Sequence, residues 1–150
     1  MRVTRNFHFD ELLVSEDHPE LCPRLIDLPP ETVINLCRTI WILQGFRDRF
    51  GKVFVTSGFR SAQLNEAVEG SNSSRHLTGC AADFHLGAFP ANLAWEKILD
   101  GEVKPAWDRL ALYPDSGRFH VDVSEDGKEG RGLLYLAEPA WRKVGTEREG

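Results

Sequence analysis

Excess positive charge, paired cysteines and long apolar runs are all missing from this sequence. Eighteen Lys and Arg stand against 23 Asp and Glu, leaving a formal net charge of -5. No basic stripe with interleaved aromatics occurs, so nucleic acid is a poor match as a partner. The three cysteines, Cys22, Cys37 and Cys80, are odd in number and form no Cys-x-x-Cys pair. That argues against a disulfide framework or a structural zinc knuckle and suits a reducing site of synthesis. No apolar stretch reaches the roughly 18 residues of a membrane span, so membrane insertion is not expected. The opening Met1-Arg-Val-Thr-Arg-Asn-Phe-His carries no apolar run of signal-peptide length, so synthesis in the cytoplasm without a signal peptide is the expectation. Internal repeats and low-complexity tracts are absent too.

What is present suffices for one ordinary core. A chain of 150 residues that is 41% hydrophobic and 10% aromatic buries a single core without asking for a second domain. We expect one domain over residues 1–141 and a charged tail over 142–150, with a further solvated stretch at 124–131. Phe7, Phe9, Leu12 and Leu13 mark a short helix or turn stapled to the core, while His8 and His18 read as solvated surface. From Glu31 to about Phe50, Val33, Leu36, Ile40, Leu43 and Phe46 fall on one face of a 3.6-residue period. Pro30 opens that helix and Gly51 closes it, and Trp41 on it belongs to the core or an interface. Strands are predicted at 52–56, 81–86, 107–113, 118–123 and 132–137, and helices near 61–67 and 90–99. Helices come first and a strand-rich half follows, so the class is α+β, a small mostly antiparallel sheet with helices packed on one side.

Three residues invite a metal. A catalytic zinc takes three ligands from His, Asp, Glu or Cys and keeps a fourth position open. His76 ends a Ser/Asn-rich loop, Asp83 lies on the next strand, and His120 lies on a later one. A turn at Thr78-Gly79 would fold the first two toward each other, Gly79 being the residue type such a turn favours. Taken singly, each of these side chains is as readily a satisfied polar group, so spacing alone leaves the assignment open.

The motifs around them narrow it. Ser74-Arg-His-Leu-Thr-Gly-Cys-Ala-Ala-Asp83 carries every fixed position of Ser-x-His-x-x-Gly-x-Ala-x-Asp, and Val55-Thr-Ser-Gly-Phe-Arg-Ser-Ala-Gln-Leu-Asn65 and Phe119-His-Val-Asp122 follow the same order. In these stretches the sequence resembles the zinc D-Ala-D-Ala carboxypeptidase family, which includes vancomycin-resistance dipeptidases, phage L-alanyl-D-glutamate endolysins and, more distantly, the hedgehog signalling domain. The similarity runs from about residue 7 to 123 and is strongest to the small phage and prophage branch. The resemblance implies one zinc ion bound by His76, Asp83 and His120, with Arg60 facing the substrate carbonyl or carboxylate. Ser74 either hydrogen-bonds substrate or caps its loop.

The expected chemistry is hydrolysis of a peptidoglycan stem peptide, by a D,D-carboxypeptidase or an endopeptidase of endolysin type. Such hydrolysis needs a group that moves protons. Many relatives place Glu or Asp three residues before the last histidine, where this chain has Gly117. The phage-like branch often has Glu near the position of Tyr113 and Pro114. Asp115 is the nearest acid and the candidate base, with a plain turn role as its alternative; His85 and Asp122 are the other candidates. Cys80 alternates away from the site and reads as a buried thiol. The gap at Gly117 motivates a second expectation, a zinc-binding structural or wall-binding phage or prophage tail component with weak or no hydrolysis. Phage tail or virion proteins would then be partners. Action on the cell wall after phage-type release, or as a virion component, completes the expectation.

Overall fold

The computed structural model describes residues 1–137 and 140–146. Helix α1 spans Pro30–Phe50, with Pro30 at its first turn and Gly51 ending it. Its buried stripe is Leu36, Ile40, Leu43, Phe46 and Phe50, with Val33 only partly buried. Trp41, expected in the core or an interface, is 63% exposed, because it lies off the stripe that meets the sheet. No helix among the described residues is long and apolar enough to cross a membrane.

Six strands form one sheet: β1 (Val53–Ser57), β2 (Ala81–Leu86), β3 (Arg109–Tyr113), β4 (Arg118–Asp122), β5 (Leu133–Leu136) and β6 (Arg142–Thr146). Their order is β1-β2-β4-β3-β5-β6. Only β3 and β5 run parallel; the other neighbours are antiparallel. The fold is therefore α+β with a mostly antiparallel sheet. β6 lies within the segment expected as a charged tail, and it pairs with β5. Residues 147–150 of that expected tail lie outside the described residues.

Alternation along the strands gives the sheet two unlike faces. Phe84, Leu110, Leu112, Phe119, Val121 and Leu134 point to the core side and are buried. Phe46 of α1 meets Phe84 at 5.2 Å and Trp107 at 5.7 Å between ring centroids, and Trp95 of α3 (Ala91–Leu99) packs on Phe119. Each such aromatic contributes about 1.5–3 kcal/mol by burial. The short α2 (Ala62–Ala67) packs instead on the 3-10 turn at Arg75–Thr78. The opposite face carries Asp83, His120, Asp122, Arg109, Arg118 and Tyr113, and it is polar.

Candidate metal centre

Register brings the first constellation together. Asp83 of β2 is the Cα partner of His120 of β4, and Ser57 of β1 is the partner of Asp83. The pairing shifts between Val55 and Ser57, and this irregularity turns Ser57 onto the polar face, as β-bulges do. His76 arrives from the 3-10 turn, which Gly79 closes in a left-handed conformation. Ser74 caps that turn by accepting from the His76 amide at 3.3 Å.

Each imidazole is oriented by its second nitrogen. His76 Nδ1 lies 2.7 Å from the Gly58 carbonyl oxygen, which makes Nδ1 the protonated nitrogen and leaves the Nε2 lone pair toward Asp83 Oδ2 at 3.5 Å. Gly58 has no substitute here: the Phe59 amide donates to the Leu12 carbonyl at 2.7 Å, and a Cβ on residue 58 would collide with that oxygen. His120 Nε2 donates to Asp122 Oδ2 at 3.0 Å, which turns Nδ1 to Asp83 Oδ1 at 2.9 Å. A carboxylate behind a ligating histidine sets tautomer and ring angle in this way.

The donor atoms of His76, Asp83 and His120 all lie within 4.8 Å of one another. Ligands about 2 Å from a tetrahedral zinc stand roughly 3.4 Å apart; His76 Nε2 lies 3.5 Å from Asp83 Oδ2, and His120 Nδ1 lies 2.9 Å from the other oxygen, Oδ1. Two imidazoles and one carboxylate, with both second N–H groups already engaged, suit zinc. Burial alone would raise the Asp83 carboxyl, but the charges and hydrogen bonds of His76 and His120 outweigh it and hold it well below the usual carboxylate range. Burial likewise disfavours a charged His120, yet its bonds to Asp122 and Asp83 push it up to about 9.

A buried ionic layer holds this floor. Asp122, fully buried, accepts from the Arg109 amide at 3.0 Å, from Arg109 Nε at 2.8 Å and from Arg75 Nη1 at 2.9 Å. Asp108 accepts from Arg75 at 2.6 Å and twice from the Arg131 guanidinium at 2.8 Å. These bonds to Arg131 and Arg75 outweigh burial and hold the Asp108 carboxyl well below its ordinary range.

Above the floor opens a cavity of about 670 Å³. Arg60 enters it 15% exposed, with Nε on Ser57 Oγ and Nη1 on Asn65 Oδ1, both at 3.3 Å, and Nη2 3.6 Å from Asp83 Oδ2. Burial pushes the Arg60 guanidinium down; Asp83 opposes this and the nearby Arg118 adds to it. Ser74 lines the same cavity.

The three candidate bases fare differently. Asp115 is exposed in the β3–β4 turn and does not line the cavity. His85 shares the face of Asp83 but pairs with the half-exposed Phe54 farther along β2, outside the lining. Asp122 lies behind His120, on the side away from Asp83. Gly117 sits at φ +77° in that turn, a conformation that an acidic residue adopts only with strain. The carboxylates in the lining are Asp83 and, on the exposed rim, Glu16 and Asp17.

Arg109, Tyr113, Arg118 and Trp141 also line the cavity, and none of the four is among the site residues that the motifs imply. Period-two counting back from His120 reaches Arg118; Trp141 carries no comparable signal, since it comes from the segment before β6.

Residues 6–97, more than half of the chain, match the family described as peptidase M15. A zinc D-Ala-D-Ala carboxypeptidase from Streptomyces albus G is 41% identical over 56 residues, which cover 36% of this chain and 22% of that relative. The chain thus spans about a fifth of the length of the curated relative that it matches. With the family's motif residues gathered around one donor set, the chain belongs to peptidase family M15.

Proposed function

We propose that this protein is a zinc-dependent peptidase that hydrolyses an amide bond in a peptidoglycan stem peptide. The observation that carries the reading is the convergence of His76 Nε2, Asp83 and His120 Nδ1 on the floor of a cavity that Arg60 enters. The chemistry a bound zinc supplies is Lewis acidity, which acidifies water and polarises a carbonyl. His76, Asp83 and His120 would hold it, with Gly58 and Asp122 fixing the two rings. Arg60, locked by Ser57 and Asn65, donates to the scissile carbonyl oxygen as negative charge develops there. Ser74 keeps its own hydroxyl proton while capping the turn, so it is free to donate to the peptide backbone. The carboxylates of the lining left to take up the proton of the attacking water are Glu16 and Asp17 on the rim. The D-Ala-D-Ala bond named for the Streptomyces relative is the first substrate to try. An endolysin-type cut and action on the wall after release from a phage or prophage belong to the same proposal.

A second reading, a zinc-binding tail or wall-binding component with weak hydrolysis, is favoured by Gly117 at the turn and by Asp115 lying outside the cavity. One experiment separates the two. Zinc-loaded protein is incubated with peptidoglycan and with a blocked D-Ala-D-Ala peptide, with and without a chelator. Chelator-sensitive release of D-alanine or of new amines is expected; retained zinc with no product from either substrate selects the binding component. His76→Ala and His120→Ala should each lose stoichiometric zinc, and full zinc content in both would overturn the ligand set.

A further inference from the structure

Four arginines line the cavity, and three of them have anionic partners. Arg60 faces Asp83, Arg75 bridges Asp108 and Asp122, and Arg109 grips Asp122. Arg118 is different. Its Nε is buried without a hydrogen-bond partner, and it takes part in none of the ion pairs among the described residues. Its guanidinium lies over the Tyr113 ring, 4.0 Å from the centroid, a seat that holds the fork rigid at the cavity wall that Arg118 lines. Leaving a buried charged donor unmatched costs free energy, so an acceptor brought to the Arg118 fork would be stabilised there.

The neighbours of Arg118 face the same way. Arg118 pairs with Tyr113 across β3 and β4, and His120 pairs with Ala111 one step along, so arginine, tyrosine and metal-site histidine share one sheet face. Trp141 Nε1 donates to the Tyr113 hydroxyl at 3.1 Å. An indole N–H only donates, so the tyrosine oxygen is the acceptor and its own proton remains available to the cavity. Trp141 also sets its ring edge-on to His120 at 5.1 Å, which ties the Tyr113 hydroxyl to the metal side of the pocket. The positive charge of Arg118 is felt by Arg60, so an anion between the two relieves both.

We propose that Arg118, seated on Tyr113, is the carboxylate anchor of this cavity: the substrate is a peptide that presents a carboxylate beyond the scissile amide, held by the Arg118 fork and the Tyr113 hydroxyl. Arg60 is thereby left for the scissile carbonyl. A planar fork of donors matches a carboxylate and matches neither an amide nor an ammonium group. This rests on the peptidase reading for the identity of the ligand as a peptide, and the carboxylate belongs either to the peptide C-terminus or to an acidic side chain.

Three probes distinguish those sources: a blocked peptide ending in D-alanyl-D-alanine with a free carboxylate, its C-terminal amide, and an amidated peptide bearing a D-glutamate side chain. Binding to zinc-loaded protein is measured by calorimetry, with hydrolysis followed in parallel. Wild type should bind one of the two acids about tenfold or more tighter than the plain amide, as a charge-assisted pair provides. Arg118→Gln should abolish that preference, raise KM with little change in kcat, and leave amide affinity within about twofold. Arg118→Lys should restore part of it. Tyr113→Phe keeps the ring and removes the donor, and should weaken acid binding severalfold. Circular dichroism and zinc content check that the variants fold. Equal binding of acids and amide by wild type, no binding of either acid, or a preference that survives Arg118→Gln in folded protein would overturn the anchor. Preferential binding without any hydrolysis supports the anchor and defeats the peptidase reading; hydrolysis without preference does the reverse.

Discussion

The floor of the cavity and its far wall are built on opposite plans. On the floor, His76 is held by a backbone carbonyl, His120 by Asp122, and Asp122 by Arg109 and Arg75. On the wall, Arg118 carries an unmatched buried Nε, Trp141 is 37% exposed, and residues 114–116 form an exposed turn. A fully paired network suits an ion whose ligands must be preorganised. A wall with donors to spare suits a partner that comes and goes.

The largest effect should come where the two plans meet. Arg60 touches the metal-site carboxylate on one side and the cavity on the other. Arg60→Ala should lower kcat by about 100- to 1,000-fold, the cost of removing one transition-state donor, while zinc content stays stoichiometric. If zinc were lost together with activity, Arg60 would belong to the floor alone.

Next comes the layer beneath the metal. Asp122→Asn can still accept from His120 Nε2, but it removes the counter-charge of Arg109 and one of the two that Arg75 bridges. Loss of such an outer partner lowers metal affinity by about 10- to 100-fold, to be read by competition with a chromogenic chelator. Unchanged affinity would mean that His120 is oriented by packing, with the ring of Trp141 as the source.

Acid should loosen the same layer in a predictable direction. The Asp108 carboxyl is held below its ordinary value of 3.8 by Arg131 and Arg75, against the effect of burial. A depressed value contributes stability that is present above about pH 3.8 and lost as the pH falls toward the folded value. Urea midpoints measured from about pH 6 down to about pH 2.5 should fall less steeply for Asp108→Asn than for wild type. Parallel curves would remove Asp108 from the account of acid sensitivity.

How legible each region was follows from the range of the contacts that make it. Leu36, Ile40, Leu43 and Phe46 follow from a local period; that Trp41 lies outside the core does not, because which flank of a helix stays uncovered is decided by the sheet. His76 and Asp83 are seven residues apart and share one turn, so their convergence is nearly local. Placing His120 beside them depends on the β2–β4 register, which no spacing states. Arg118 and Tyr113 meet only through the β3–β4 pairing. Arg142-Lys-Val-Gly-Thr146 reads as tail because it offers a single large apolar residue, yet an edge strand such as β6 needs few.

The smallest effect sharpens the contrast most. Asp115 is the acid nearest in sequence to Gly117, where many relatives keep theirs, and the structure puts it on the exposed turn between β3 and β4. Gly117 explains why nearness along the chain misleads here: the chain reverses at φ +77° with the Gly117 amide donating to the Tyr113 carbonyl at 2.8 Å. That reversal aims Tyr113 and Arg118 at the cavity and leaves Pro114, Asp115 and Ser116 at the surface. Asp115→Ala should therefore change stability by no more than about 0.5 kcal/mol, as for an ordinary surface site, and leave kcat and its pH profile as in wild type. A loss of turnover with an altered acidic limb would place the carboxylate within reach of the reacting water. The turn would then have to close over the cavity, and the wall would share the catalytic work with the floor.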